Sequence, residues 1–172
     1  MTASEKIAEW LYEKGIQTAF GIIGGGNVAL WDAISRFQKT QIVCCHHEQA
    51  AVLAVCGHYR VSSRIAVALV TTGAGSSNAI TGVVSAWMDS TPVLILSGNE
   101  ASKYMYAPTR VWGVQGYDSS GAVKDFVKQP SGRMISTKNF MELLEQSYWS
   151  ALRPRQGPVW VDIPKDIQNA TI

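Results

Sequence analysis

The sequence predicts a three-layer α/β/α sandwich around a mostly parallel sheet. Three observations lead there. Residues 65–71 (IAVALVT) and 92–96 (PVLIL) are apolar without alternation, the pattern of strands covered on both faces. Helical and strand-like periods alternate along the chain, as βαβ units require. The glycine-rich stretches fall just after strands, where open α/β sheets place their ligands.

The elements follow in order. Residues 3–14 put Ile7, Trp10 and Leu11 at i, i+3 and i+4 on one helix face, with Gly15 as a stop. Residues 18–22 read as a strand. The turn Gly24-Gly25-Gly26 comes next, and Asn27 can cap a helix carrying Val28, Leu30, Trp31 and Ile34. Residues 41–45 form the second strand and 49–59 an alanine-rich helix. The glycine loop 73–78 follows the strand at 65–71, with Asn78 capping a helix over 79–88. Residues 98–135 read as long irregular chain with one short helix near 119–126, and long loops in compact domains are usually functional. Regularity returns at Thr137, a good N-cap, with Phe140, Leu143, Leu144, Tyr148 and Leu152 on one face. Residues 158–163 (PVWVDI) make the last strand, and 165–172 read as a polar exit where a linker would begin.

Composition narrows the function classes. A chain of 172 residues fits a single domain over 1–172. With 47% apolar and 16% charged residues it is not a disordered chain. A net charge of +2 without a Lys/Arg cluster argues against a nucleic-acid partner. No run reaches the ~20 apolar residues of a membrane helix, and the acidic, amphipathic N-terminus is no signal peptide. Cys44, Cys45 and Cys56 form neither an even framework nor a CxxC pair, so free thiols and a cytoplasmic setting are expected.

Glu48 is the sharpest chemical candidate. It follows a strand and opens a helix of almost purely apolar residues. Burial there would disfavour the carboxylate, while the helix N-terminus favours it. A carboxyl balanced in this way suits proton exchange with a heterocycle nitrogen; the alternative is an ordinary first-turn acid. His46 and His47 lack further ligands at metal spacing, so packing or hydrogen bonding is expected of them and no metal. The loop 72–78 could cradle a phosphate. As a nucleotide fingerprint it is defective: Asn78 stands at the last glycine of GxGxxG, no acid follows at Leu96-Ser97-Gly98, and no Walker lysine occurs. A tight turn is the plainer reading. Tyr104, Tyr106, Trp112 and Tyr117 could form a substrate wall or an interface, the latter being the commoner use.

Taken together, four segments carry a resemblance: FGIIGGGN (20–27), HHEQAAVLAVCGHYR (46–60), VTTGAGSSNAITGVVSAWMDSTPVLILSGN (70–99) and GPVWVDIPKDI (157–167). Over essentially its whole length the chain resembles the N-terminal, pyrimidine-binding (PYR) domain of thiamine-diphosphate (ThDP) enzymes. It is most similar to the acetolactate-synthase-like branch. The resemblance implies that Glu48 hydrogen-bonds N1′ of the aminopyrimidine and favours its 4′-imino tautomer, which takes the proton from thiazolium C2. A 2-keto acid would be the substrate.

The resemblance also implies cofactor-binding roles for Ile23, Gly24, Gly25, Thr72, Gly73 and Asn78, and, more weakly, substrate roles for Gln115 and Lys128. Ile23 replaces the usual proline and Ala74 the proline of the glycine loop. Val114 and Gly116 flank Gln115 where the branch has Phe and Glu, and Leu53 stands where it often has His. No Gly-Asp-Gly occurs. The diphosphate and Mg²⁺ would therefore sit on a second (PP) domain, in the same enzyme or a partner chain of a homodimer or tetramer. The chain is expected to be a domain of a longer enzyme, or else the small subunit of a split one. The sequence carries no signal for FAD, which some relatives bind through a middle domain. Two other readings compete: a non-catalytic assembly or regulatory module of the same fold, and a Rossmann-like nucleotide domain.

Overall fold

The computed structural model describes residues 1–105, 112–134, 136–138 and 140–172. The elements are α1 (Ala3–Glu13), β1 (Thr18–Gly21), α2 (Val28–Phe37), β2 (Gln41–Cys44), α3 (Glu48–Ser62), β3 (Val67–Val70) and α4 (Ala74–Met88). They continue with β4 (Val93–Asn99), α5 (Ser119–Ala122), β5 (Gly132–Arg133), α6 (Phe140–Leu152), β6 (Pro158–Pro164) and α7 (Lys165–Gln168). The strands lie in the order β2-β1-β3-β4-β6-β5 and every pairing between them is parallel.

The period of two splits each inner strand between two cores. Val67 and Leu69, Leu94 and Leu96, and Val159, Val161 and Ile163 face α1, α2 and α6. Ala66, Ala68 and Val70, Val93 and Ile95, and Trp160 face α3 and α4. Two cores on one sheet are the three layers predicted. The second core is lined by small residues, which lets α3 and α4 pack closely: a Cβ on Gly82 would sit 2.7 Å from Cβ of Val52. Leu11 and Ile7 bury the face of α1, whose start is held by the reciprocal Thr2–Glu5 capping box.

Several expectations need correction. β5 carries no signal in the sequence, because two residues, Gly-Arg, have no apolar period; pairing with β6 alone makes them a strand. α4 begins at Ala74, so Asn78 lies inside the helix and does not cap it. Gly73, at φ +71°, turns the chain straight from β3 into that helix. Asn27 stands at the start of α2, but its side chain makes no cap bond there. α6 starts at Phe140, three residues beyond Thr137. Residues 165–172 pack back onto the start of the chain. Thr171 bridges Thr2, the amide of Ala3 donates to the carbonyl of Ala170 (3.0 Å), and Ser4 donates to the carbonyl of Gln168 (3.0 Å). Among the described residues, no helix is long and apolar enough to cross a membrane.

The cysteines supply a test of the packing. Cys56 is buried in the α3–α4 core, and burial pushes its thiol up to about 11, while Cys44 is exposed. At pH 8 only about one Cys56 in a thousand would be thiolate, and the thiolate is what reacts. Iodoacetamide at pH 8 should label Cys44 and leave Cys56 unmodified until the protein unfolds. Equal labelling, read by peptide mass spectrometry, would contradict this packing.

Candidate active site

The chain reaches the carboxyl ends of β1, β2, β3 and β4 in four turns, and these turns converge. Glu48 is the first residue of α3 and is 7% exposed. His47 stands before it in extended conformation, and its Nδ1 accepts a hydrogen bond from the amide of Gln49 (3.2 Å), closing the helix end. One carboxylate oxygen of Glu48, Oε2, accepts from Nδ2 of Asn78 (3.1 Å). The other, Oε1, has no hydrogen-bond partner among the described residues. A Cβ on Gly75 would sit 3.1 Å from it.

The glycine turns close on Thr71, just past β3. Its Oγ1 accepts from the amide of Gly26 (3.0 Å). Cβ atoms on Gly24 and on Gly75 would each lie 2.6 Å from its side chain. Asn27 ties the first turn to itself: Oδ1 accepts from the amide of Gly24 (2.8 Å), and Nδ2 donates to the carbonyl of Ile22 (3.0 Å). Gln168, from α7, donates to the carbonyls of Gly26 (2.6 Å) and Ile163 (2.7 Å). Gly25 faces open space, with nothing within 4 Å of a Cβ built there. A buried acid with one oxygen held and one free, beside a braced glycine surface, can exchange a proton with a flat heterocycle.

Residues 1–125 match the family described as "Thiamine pyrophosphate enzyme, N-terminal TPP binding domain". The chain belongs to this family. It is 35% identical to "Acetolactate synthase isozyme 3 large subunit" of Escherichia coli (strain K12), over 98% of this chain and 29% of that protein. It is 30% identical to "Acetolactate synthase large subunit" of Lactococcus lactis subsp. lactis, over 99% of this chain and 29% of that protein. "Acetolactate synthase, chloroplastic" of Arabidopsis thaliana is 27% identical over 95% of the chain and 24% of that protein. The chain thus spans less than a third of the length of the curated relatives it matches.

Within this TPP-binding domain, the residues picked from sequence divide into groups. Glu48 and Asn78 meet directly. Gly24 and Gly25 lie in the braced turn, with Ile23 at its rim, 57% exposed. Thr72 and Gly73 form the adjoining turn, and Gln115 is brought to it: its Cγ would be 3.1 Å from a Cβ on Gly73. Lys128 is not brought there. Its amine donates to the carbonyl of Arg153 (2.7 Å) and its stem covers Gly157, at the amino end of β6. His46 is exposed, without the packing expected of it. Of the aromatics, Tyr104 and Trp112 pair at 4.8 Å, Tyr117 bonds Ser76 (2.7 Å), and Tyr106 lies outside the described residues. Among the described residues no three of His, Cys, Asp and Glu converge as metal ligands.

Sequence reasoning passed over Thr71, Gln168, Asn99 and Asp162. Thr71 was hidden by its neighbour Thr72, and Gln168 by the polar composition of the C-terminal stretch. Asp162 had a signal: it is the one carboxylate inside the apolar strand PVWVDIP.

Proposed function

We propose that this domain is the pyrimidine-binding half of a ThDP-dependent lyase or carboligase acting on 2-keto acids, of acetolactate synthase type. The observation that carries the proposal is Glu48, buried at the start of α3 with Oε2 held by Asn78 and Oε1 free. Bound ThDP supplies a carbon nucleophile for the keto carbonyl and an electron sink for loss of carbon dioxide. The residues fit such a group. Oε1 of Glu48 offers the acid that exchanges a proton with N1′ of the aminopyrimidine. Asn78, by occupying Oε2, decides which oxygen is offered. Gly24 and Gly25 present a surface without side chains to a flat ring, and their bracing by Thr71, Asn27 and Gln168 keeps that surface in place as the ring arrives.

The diphosphate and Mg²⁺ belong on a PP domain, supplied by the rest of the same chain or by a partner subunit. A dimer or tetramer is the expected assembly, because each active site then takes its two halves from two chains. The experiment is native mass spectrometry of the whole protein with ThDP and magnesium, alongside a titration of the cofactor followed by tryptophan fluorescence. Saturable binding in an oligomer supports the half-site reading. A protein that never retains ThDP moves the non-catalytic module ahead.

A further inference from the structure

Asp162 is wholly buried in β6 and takes no part in the proton exchange assigned to Glu48. Burial pushes its carboxyl above the ordinary value, against the donors gathered round it. A buried carboxylate is costly unless its bonds are satisfied; the Ser97 hydroxyl also acts on this carboxyl, but the hydrogen bonds of good geometry are made on one oxygen. Oδ2 accepts from Nδ2 of Asn99 (2.7 Å) and Oγ of Ser119 (2.9 Å), with Nε of Arg133 at 3.7 Å. Oδ1 has no partner among the described residues.

Each of those donors leads to the segment 112–119, which lies over the glycine turn. Nδ2 of Asn99 must face the carboxylate, so its Oδ1 faces the other way. There it accepts from the amide of Glu100 (2.8 Å) and from Oγ1 of Thr72 (2.9 Å). A flipped amide would oppose donor to donor at Glu100 and acceptor to acceptor at Asp162, so one orientation is dictated at both ends. The Thr72 hydroxyl thus points its single hydrogen between Oδ1 of Asn99 and the carbonyl of Gln115 (3.3 Å), a three-centre bond. At the far end of the segment, Ser119 binds Asp162 directly, and Arg133 also reaches Asp118 (3.4 Å). Tyr117 adds a latch on Ser76 (2.7 Å).

We infer that Asp162, acting through Asn99, Thr72 and Ser119, is a positioning residue that holds segment 112–119 against the glycine turn and so sets recognition of the keto-acid substrate, apart from the chemistry at Glu48. The substrate half of this statement rests on the function proposed above; the positioning half does not. The network joins β4 and β6 to the turn after β3, while Glu48 makes its hydrogen bond outside this network, to Asn78.

Asn99→Asp tests it. Two carboxylates would then meet across a 2.7 Å contact, where they cannot both be ionised; the contact survives only with a proton shared between them, so both readouts are taken at pH 8, where holding that proton is costly. Combining Asn99→Asp with Asp162→Asn reverses the polarity of that contact and restores it. The carboxylate introduced at position 99 then accepts from the amide introduced at position 162, from the Thr72 hydroxyl and from the Glu100 backbone N–H together; the Ser119 hydroxyl, 3.3 Å from Nδ2 of Asn99, turns to donate to it as well, and Arg133 keeps Asp118. Two readouts are taken on the whole protein: amide hydrogen exchange without cofactor, and steady-state kinetics with ThDP, magnesium and pyruvate. In N99D, amides of 112–119 should exchange about tenfold faster and KM should rise about tenfold, the worth of one lost hydrogen bond, with kcat within about twofold. The double variant should return both. Exchange that stays at the wild-type level, or rises across the whole sheet, overturns the positioning role. Local loosening with KM unchanged, or kcat falling in step, overturns the substrate role. If the wild type itself shows no ThDP-dependent turnover, the proposed function fails and the substrate half with it, and the exchange data alone decide whether Asp162 positions the segment.

Discussion

Glu48→Gln should leave the domain folded and slow deprotonation of ThDP at C2 by a factor of about 10²–10⁴, the usual worth of a positioned acid or base. The amide keeps the shape of the carboxyl, and its oxygen can still accept from Nδ2 of Asn78, so the melting temperature should stay near that of the wild type. What is lost is a group that can gain and release a proton at the position of Oε1. Hydrogen–deuterium exchange at C2 of bound cofactor, followed by NMR after acid quench, reads this step before any substrate is involved. A wild-type exchange rate in the variant would remove Glu48 from the chemistry. A variant that fails to bind ThDP would show instead that the carboxyl serves affinity. Cofactor titration separates the two.

The largest effect on stability is expected from Gly98→Ala. A Cβ there would sit 2.2 Å from the carbonyl oxygen of Gly26, 2.5 Å from its carbonyl carbon and 2.6 Å from Cα of Asn27. All three atoms are backbone, so no side chain can swing aside. β4 is buried along its whole length, and the Gly26 peptide is gripped by Thr71 at its N–H and Gln168 at its carbonyl. Relief would have to separate the end of the strand from the turn. A cost of about 4 kcal/mol or more is expected, the range reserved for severe steric conflicts. At the size of this domain that lowers the melting temperature by roughly 10 °C. Gly25→Ala is the control. It meets nothing within 4 Å and its backbone is not left-handed, so stability should hold. If the pyrimidine lies on this turn, affinity for ThDP should still fall in that control. A Gly98→Ala protein as stable as the wild type would mean the turn is not packed against β4 as described.

How much of this was legible in the sequence depends on where each signal lies. β3, β4 and β6 announce themselves because a strand with helices on both faces has no polar side to show. β5 is silent because an edge pair of two residues gets its identity from its neighbour. α4 starts earlier than its composition suggests: glycine and serine at 75–77 are poor helix formers, and packing of Gly75 against Thr71 overrides that preference. The burial of Glu48 at the start of α3 is legible because its oddity is local, an acid opening an apolar helix. Its partner Asn78 is 30 positions away, and pairing at that distance is decided by the sheet. Asp162 and Gln168 belong to the same class, since what they do depends on Asn99 and Gly26, far away in the chain.

The bridge between Thr2 and Thr171 has a topological consequence. The amide of Ile172 donates to the carbonyl of Met1 (3.0 Å), so the first and last residues lie side by side. A polypeptide can enter and leave this unit through one doorway. The order of the elements along the chain is therefore separable from their arrangement in space. A short peptide closing the gap would make the backbone a ring, which could be reopened at an exposed point such as Ser63–Arg64, between α3 and β3, giving a circular permutant that builds the same sheet.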